Sequence, residues 1–278
     1  MDTLPPGIPV AAPTVPPPDR EAEPSGFTVE VGPTERIHFL DWGGPAGTGP
    51  AALLVHGLSA TAWVWAPVAR RLCRVRRTVA MDLRGHGLSD SPTTGYEPQA
   101  FADDAIAVAE GAGLLAGPGD RIVLAGHGFG AIVAAWAAAS LGERCAGLVL
   151  VDGGWEDIGD ATGLSVDEFL RGLEEPPEVL RSIFDFLADR EAFDSGTWDA
   201  DQERAARTSV VELPVGRVVS AARPHAVEAC VRAMFAYRPA VVLSSVFAPI
   251  AALGAADDEA GTHARSLRVA QDELAAAG

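Results

Sequence analysis

The sequence predicts an α/β fold: a mostly parallel sheet covered by helices on both faces, with a helical segment inserted late in the chain. Three patterns predict it. Short continuous apolar runs alternate with segments of helical periodicity, and glycine-bearing turns follow three of those runs directly. A polar, amphipathic stretch of about eighty residues then separates the last two runs. Strands buried on both faces read as unbroken apolar runs, so the pattern points to parallel pairing.

Taken in order, residues 1–26 carry eight of the 21 prolines and read as a disordered, partly polyproline leader. Residues 27–31 and 36–40 alternate apolar and polar around Gly32-Pro33, as a hairpin should. Residues 51–55 are a strand and 63–72 a helix. Residues 78–81 are a strand and 101–112 a helix. Residues 121–125 are a strand, 130–141 an apolar helix and 146–151 a strand. From Trp155 to Arg238 no strand is expected; 166–173, 177–187, 199–210 and 224–235 read as helices, several opened by Pro or Asp. Residues 239–256 are nearly uncharged, but Pro239, Pro249 and Gly254 break them, so they read as a short helix, a turn and a buried strand rather than a membrane span. An amphipathic helix over 262–276 closes the chain. The expected organisation is a core of 27–153 plus 240–278 and a helical lobe of 154–239.

Composition excludes several chemistries. All 21 bases are arginine, and the chain has no lysine and no asparagine. A Schiff base, a pyridoxal anchor, a Walker-type phosphate clamp and a Cys-His-Asn triad are therefore impossible. A net charge of −17 argues against a nucleic-acid groove or an anionic membrane surface as partner. Cys73, Cys145 and Cys230 are far apart and odd in number, giving no disulfide or zinc framework and suiting a reducing cytoplasm. No basic, apolar signal segment opens the chain.

Three turns carry chemistry. His56-Gly57-Leu58 follows the strand 51–55, Asp82-Leu83-Arg84-Gly85-His86-Gly87-Leu88-Ser89 follows 78–81, and Ala125-Gly126-His127-Gly128-Phe129-Gly130 links a strand to an alanine-rich helix. In their order and spacing these turns resemble the α/β-hydrolase superfamily, as do the insertion after Asp152 and the turn Gly254-Ala255-Ala256-Asp257. The resemblance spans residues 27–277. It implies the α/β-hydrolase fold with a helical cap, and a hydrolase of ester- or acyl-type small molecules.

The resemblance also implies where the catalytic groups belong. A Ser, Asp or Cys nucleophile belongs at the middle of the strand–turn–helix elbow, where this sequence has Gly128, which has no side chain to attack with. The oxyanion hole falls on the amides of Leu58 and Phe129. The acid falls on Asp257, with Asp258 beside it and Asp152 as the alternative place after the sixth strand. The histidine expected after an eighth strand has no match; His263 comes too soon after the acid, and the last strand and helix are missing with it. His127 is expected to point back into the sheet and His225 to cap a helix, while His38 on an early strand and His86 in a surface loop receive no role.

The expectation is a fold that grips an acyl-type or apolar ligand and is inert or very weak in ester hydrolysis, without cofactor or metal. The alternatives are a non-catalytic ligand- or partner-binding pseudoenzyme and a triad-independent lyase or hydratase. A further alternative treats Gly126, Gly128 and Ala131, with Asp152 ending the next strand, as a dinucleotide fingerprint. The aromatics Trp155, Phe169, Phe184, Phe186, Phe193, Trp198 and Phe235 are read as the lobe's own small core. Loss of a terminal edge strand would expose the seventh, inviting self-association through that edge.

Overall fold

In the computed structural model of the chain, residues 22–45, 47, 49–173, 182–193, 195–255 and 268–269 are described. Seven strands form one sheet in the order β1-β2-β4-β3-β5-β6-β9. β1 (Ser25–Glu30) and β2 (Arg36–Gly43) form the antiparallel hairpin, and β2 runs antiparallel to β4 (Thr78–Met81). The pairs among β4, β3 (Ala51–Val55), β5 (Ile122–His127), β6 (Cys145–Val151) and β9 (Ile250–Leu253) are all parallel.

The apolar runs become strands because both faces are covered. On one face α2 (Pro98–Gly111) and α3 (Phe129–Leu141) pack on Leu53, Val55, Val79, Met81, Leu124 and Leu150. On the other, a 3-10 turn at Ala62–Trp65 and α1 (Ala66–Leu72) pack on Leu40, Trp42, Ala52, Leu54, Ala80 and Ala125. Every residue of α3 except Ala139 and Ser140 is buried, as a helix that is apolar all round must be.

The strand order places the site. The chain leaves β3 toward β4 on one side, then crosses over to β5 on the other. In an open parallel sheet such a reversal leaves a crevice beyond the carboxyl ends of the strands, where ligands bind. The turns after β3 and β5 meet there, since Val55 pairs with Gly126.

Between β6 and β9 the chain forms α4 (Ile158–Thr162), α5 (Val166–Leu173), α6 (Ile183–Phe193), α7 (Ala200–Thr208), α8 (Pro224–Ala236) and α9 (Pro239–Leu243). It also contains a hairpin that sequence reading missed: β7 (Val210–Glu212) and β8 (Val218–Ser220) pair antiparallel across the Pro214-Val215-Gly216 turn. β9 is not the buried strand expected. Only Ala252 is buried and Leu253 is 56% exposed, because among the described residues nothing pairs with its outer edge. The leader boundary shifts too, with Ser25 and Gly26 already in β1. Of the helix expected over 262–276, only Arg268 and Val269 are described, and both are helical.

Candidate functional site

The turn between β5 and α3 is a sharp elbow. Gly128 sits at its apex with φ +54° and ψ −118°, a conformation that L-residues seldom adopt. The two flanking glycines are demanded by packing. A Cβ on Gly126 would lie 2.0 Å from the carbonyl oxygen of Gly130, and one on Gly130 would lie 2.3 Å from that of Val55. At Gly128 the opposite holds: a Cβ would point into open space, its nearest neighbour being Gly57 Cα at 3.9 Å. The glycines at 126 and 130 are thus close-packed against protein backbone, while Gly128 between them stands open.

Two backbone amides flank this apex. Among the described residues neither the Leu58 nor the Phe129 N–H has a hydrogen-bond partner, so both are free to donate. The Leu58 turn is shaped by Ser59, held at φ +59°. From the other side, the Gly153-Gly154 turn after β6 comes so close that a Cβ on Gly153 would lie 3.1 Å from Gly128 Cα. Asp152, at φ +52°, ends β6 and ties it to β9: its amide donates to Leu253 O (2.7 Å), and its Oδ1 accepts from the Ala255 amide (3.2 Å).

Beneath the His-Gly turn lies a buried polar hub on Asp82. Its carboxylate accepts from His38 Nδ1 (2.8 Å), the Ala62 amide (2.7 Å) and the Leu88 amide (3.0 Å). Burial alone would raise its pKa, but the hydrogen bond from His38, His56 nearby and the two amides together hold it below the usual carboxylate value. His56 takes a defined tautomer. Its Nε2 accepts from the Leu83 amide (3.0 Å), so Nδ1 carries the proton and donates to Gly57 O (2.7 Å). Burial lowers its pKa and keeps it neutral, locking the glycine whose turn presents Leu58.

The structure corrects the reading of four histidines. His86 is fully buried rather than in a surface loop; its ring lies 5.4 Å from that of His56, and desolvation lowers its pKa to about 4. His38 has a structural role through Asp82. His127 does not point back into the sheet but is exposed at the mouth of the elbow, alongside Gly57. His225 caps no helix: its Nε2 lies 3.1 Å from Ser91 Oγ and 3.0 Å from Pro92 O, tying α8 to the loop after β4. Asp257, Asp258 and His263 lie outside the described residues.

Beside the Leu58 turn a cleft of about 400 Å³ opens between the core and α6–α7. Phe193 and Trp198 line it, so these two lobe aromatics face the cleft; Phe169 instead packs on Phe235 at 5.4 Å. No sequence signal distinguished Arg190, Gln202 and Ser209, which also line the cleft, from ordinary helix-surface residues. Among the described residues no three His, Cys, Asp or Glu side chains converge as metal ligands, and no helix is long and apolar enough to cross a membrane.

An open parallel sheet, a glycine-flanked elbow and two free amides at the switch point define a known class of scaffold. The model of the alpha/beta hydrolase family matches residues 52–277, and the chain belongs to that family. Among curated proteins it is 38% identical over 107 residues to 2-(acetamidomethylene)succinate hydrolase of Mesorhizobium japonicum, covering 38% of this chain and 36% of that protein. It is 41% identical over 118 residues to N-formylmaleamate deformylase of Pseudomonas putida, covering 42% and 41%. The chain thus matches about two-fifths of the length of these relatives. The crystal structure of an E-2-(acetamidomethylene)succinate hydrolase superposes with a TM-score of 0.71 at 20% identity, covering 90% of this chain and 88% of the other, a likeness of fold.

Proposed function

We propose that this family member binds a small acyl-type ligand at the elbow and turns over esters slowly or not at all. The observation that carries the reading is Gly128. It occupies the apex between two free amides, the one of the three elbow glycines where a side chain would have room, and has none to offer. In family terms this is the vacated nucleophile position, Leu58 and Phe129 are the oxyanion donors, and the helical insert acts as a cap over the cleft. Asp257 is the acid that the family pattern assigns.

The magnitudes support a weak esterase at most. Removing the nucleophile or the base from a protease triad costs about 10⁶-fold, and removing both costs little more. Oriented amides and binding alone still give about 10³–10⁴-fold over water. The two relatives are named as a hydrolase and a deformylase, and both names describe cleavage at an acyl group, which suits a carbonyl ligand here. A fluorophosphonate probe tests the reading: no stoichiometric labelling is expected, and brisk turnover of nitrophenyl butyrate by homogeneous protein would end it. The separated cysteines fit a cytoplasmic setting. The outer edge of β9, unpaired among the described residues, would serve as a surface for self-association, which light scattering at rising concentration would detect.

A further inference from the structure

The cleft beside Leu58 is electrostatically one-sided. In a chain of net charge −17, none of the described residues lining it is acidic and one is a cation, Arg190. That arginine sits near the end of α6 and is held in place from behind: its Cζ lies 5.3 Å from the centroid of the Phe186 ring, on the preceding turn of the same helix. Stacking fixes the plane of a guanidinium and leaves its hydrogen-bonding edges unused. Among the described residues Arg190 forms no ion pair, whereas the neighbouring insert arginines Arg204 and Arg207 are both paired with glutamates.

The walls between Arg190 and the elbow are of mixed character. Leu58, Val64, Phe193 and Trp198 supply apolar surface, and Gln202 on α7 supplies an amide. The cleft therefore offers two separate places for negative charge or lone pairs. One is the free Leu58 amide, suited to a carbonyl oxygen; the other is a preorganised planar cation, suited to a carboxylate in bidentate contact.

The geometry points to Arg190 as the residue that selects acyl ligands bearing a second, ionised carboxylate some bonds away from the carbonyl. This rests on the proposed ligand site at the elbow and adds its specificity. A neutral acyl compound of the same length finds the apolar walls but leaves the guanidinium stacked and unused. The monoanion gains a charge-assisted pair that no other described residue along this cleft offers.

The test is calorimetric titration of the full chain with the monomethyl esters of succinate, glutarate and adipate, each against its dimethyl ester. The series spans the unknown distance between the two anchors. At low salt, at least one monomethyl ester should bind about tenfold more tightly than its dimethyl counterpart, a charge-assisted hydrogen bond being strong enough for that. Arg190→Gln should bring that ratio close to one while leaving the dimethyl ester's affinity unchanged, which also reports that the cleft is still folded. Arg190→Lys should keep part of the preference, since it retains charge but not the planar fork. Equal binding of both esters by the unaltered chain, or a preference that survives Arg190→Gln, overturns the assignment and leaves the elbow reading standing. Binding of neither ester by any variant removes both.

Discussion

Adding one methyl group at each of three neighbouring glycines should give three very different proteins if the elbow is built as described. In Gly126→Ala the new Cβ would sit 2.0 Å from Gly130 O and 2.5 Å from Ala131 Cα. Both are backbone atoms of the first turn of α3, so relief requires moving the helix off the sheet. In Gly130→Ala the methyl would meet Val55 O at 2.3 Å and His56 O at 2.4 Å, with the same consequence on the β3 side. Overpacking against backbone costs about 3 kcal/mol or more, because no rotamer change can relieve it. Gly128→Ala meets nothing closer than 3.9 Å and carries only the cost of holding an L-residue at φ +54°, about 1–3 kcal/mol. For a domain of this size each kcal/mol lowers the melting temperature by about 2–4 °C. Gly128→Ala should therefore melt a few degrees low and cooperatively, while Gly126→Ala and Gly130→Ala should melt far lower or fail to fold. Calorimetry on the three purified variants, with urea unfolding where heating is irreversible, reads the order. If Gly128→Ala proves as damaging as Gly126→Ala, the apex is not open and a nucleophile could never have stood there. Gly128→Ser, expected to be as stable as Gly128→Ala, then supplies a hydroxyl for fluorophosphonate labelling.

Two further outcomes follow from charges and titrating groups. His86 binds no proton in the folded chain until its pKa of about 4, while its unfolded value is 6.5, so the unfolded state carries the extra proton in between and stability must fall as pH drops through that window. Urea unfolding between pH 7 and pH 4 should show a loss of about 3 kcal/mol from this group, steeper with His56 added, and His86→Phe should flatten the slope. Glu23 joins core and insert by pairing with both Arg70 of α1 and Arg204 of α7. Its carboxylate is half exposed, so Glu23→Gln should cost no more than about 1 kcal/mol globally yet speed tryptic cleavage within α7; unchanged cleavage would deny it a clamping role.

The sequence made the central strands legible for a physical reason. β3 and β4 have the limits expected from their apolar runs, because strands buried on both faces need no partner to declare themselves. The hairpin of β7 and β8 was missed although Val210-Val211 and Val218-Val219 flank a Pro-x-Gly turn; strands of three residues are too short for periodicity to register. His86 was misplaced because Gly85-His86-Gly87 reads as a solvated turn. Its burial comes in part from His56, which follows a different strand, β3. The elbow was legible down to Gly128 since its glycines are adjacent in sequence. The cleft was not: Arg190, Trp198 and Gln202 come together only through the tertiary placement of α6 and α7 against a turn well over a hundred residues earlier.

Where the backbone is strained bears on whether the retained amides serve anything beyond folding. Among the described residues two non-glycine positions have positive φ, Ser59 and Asp152, and both lie in turns that converge on Gly128, itself at φ +54°. Each such conformation costs about 1–3 kcal/mol and persists only where the surroundings over-determine it. A scaffold under pressure for stability alone gains by placing glycine at 59, which would relieve the turn without disturbing the His56–Gly57 hydrogen bond. Serine there keeps the Leu58 amide on a stiffer turn than glycine would allow, and stiffness matters only if something is to be gripped. The buried Asp82 hub, whose burial is itself costly, accepts from His38, Ala62 and Leu88 and so braces the segments beneath this turn. The strain at Ser59 bears on the neighbouring Leu58 peptide, the one that on the proposed reading would hold a ligand's carbonyl oxygen. On the proposed reading, a binding role for that amide accounts for keeping a serine, rather than a glycine, in this conformation.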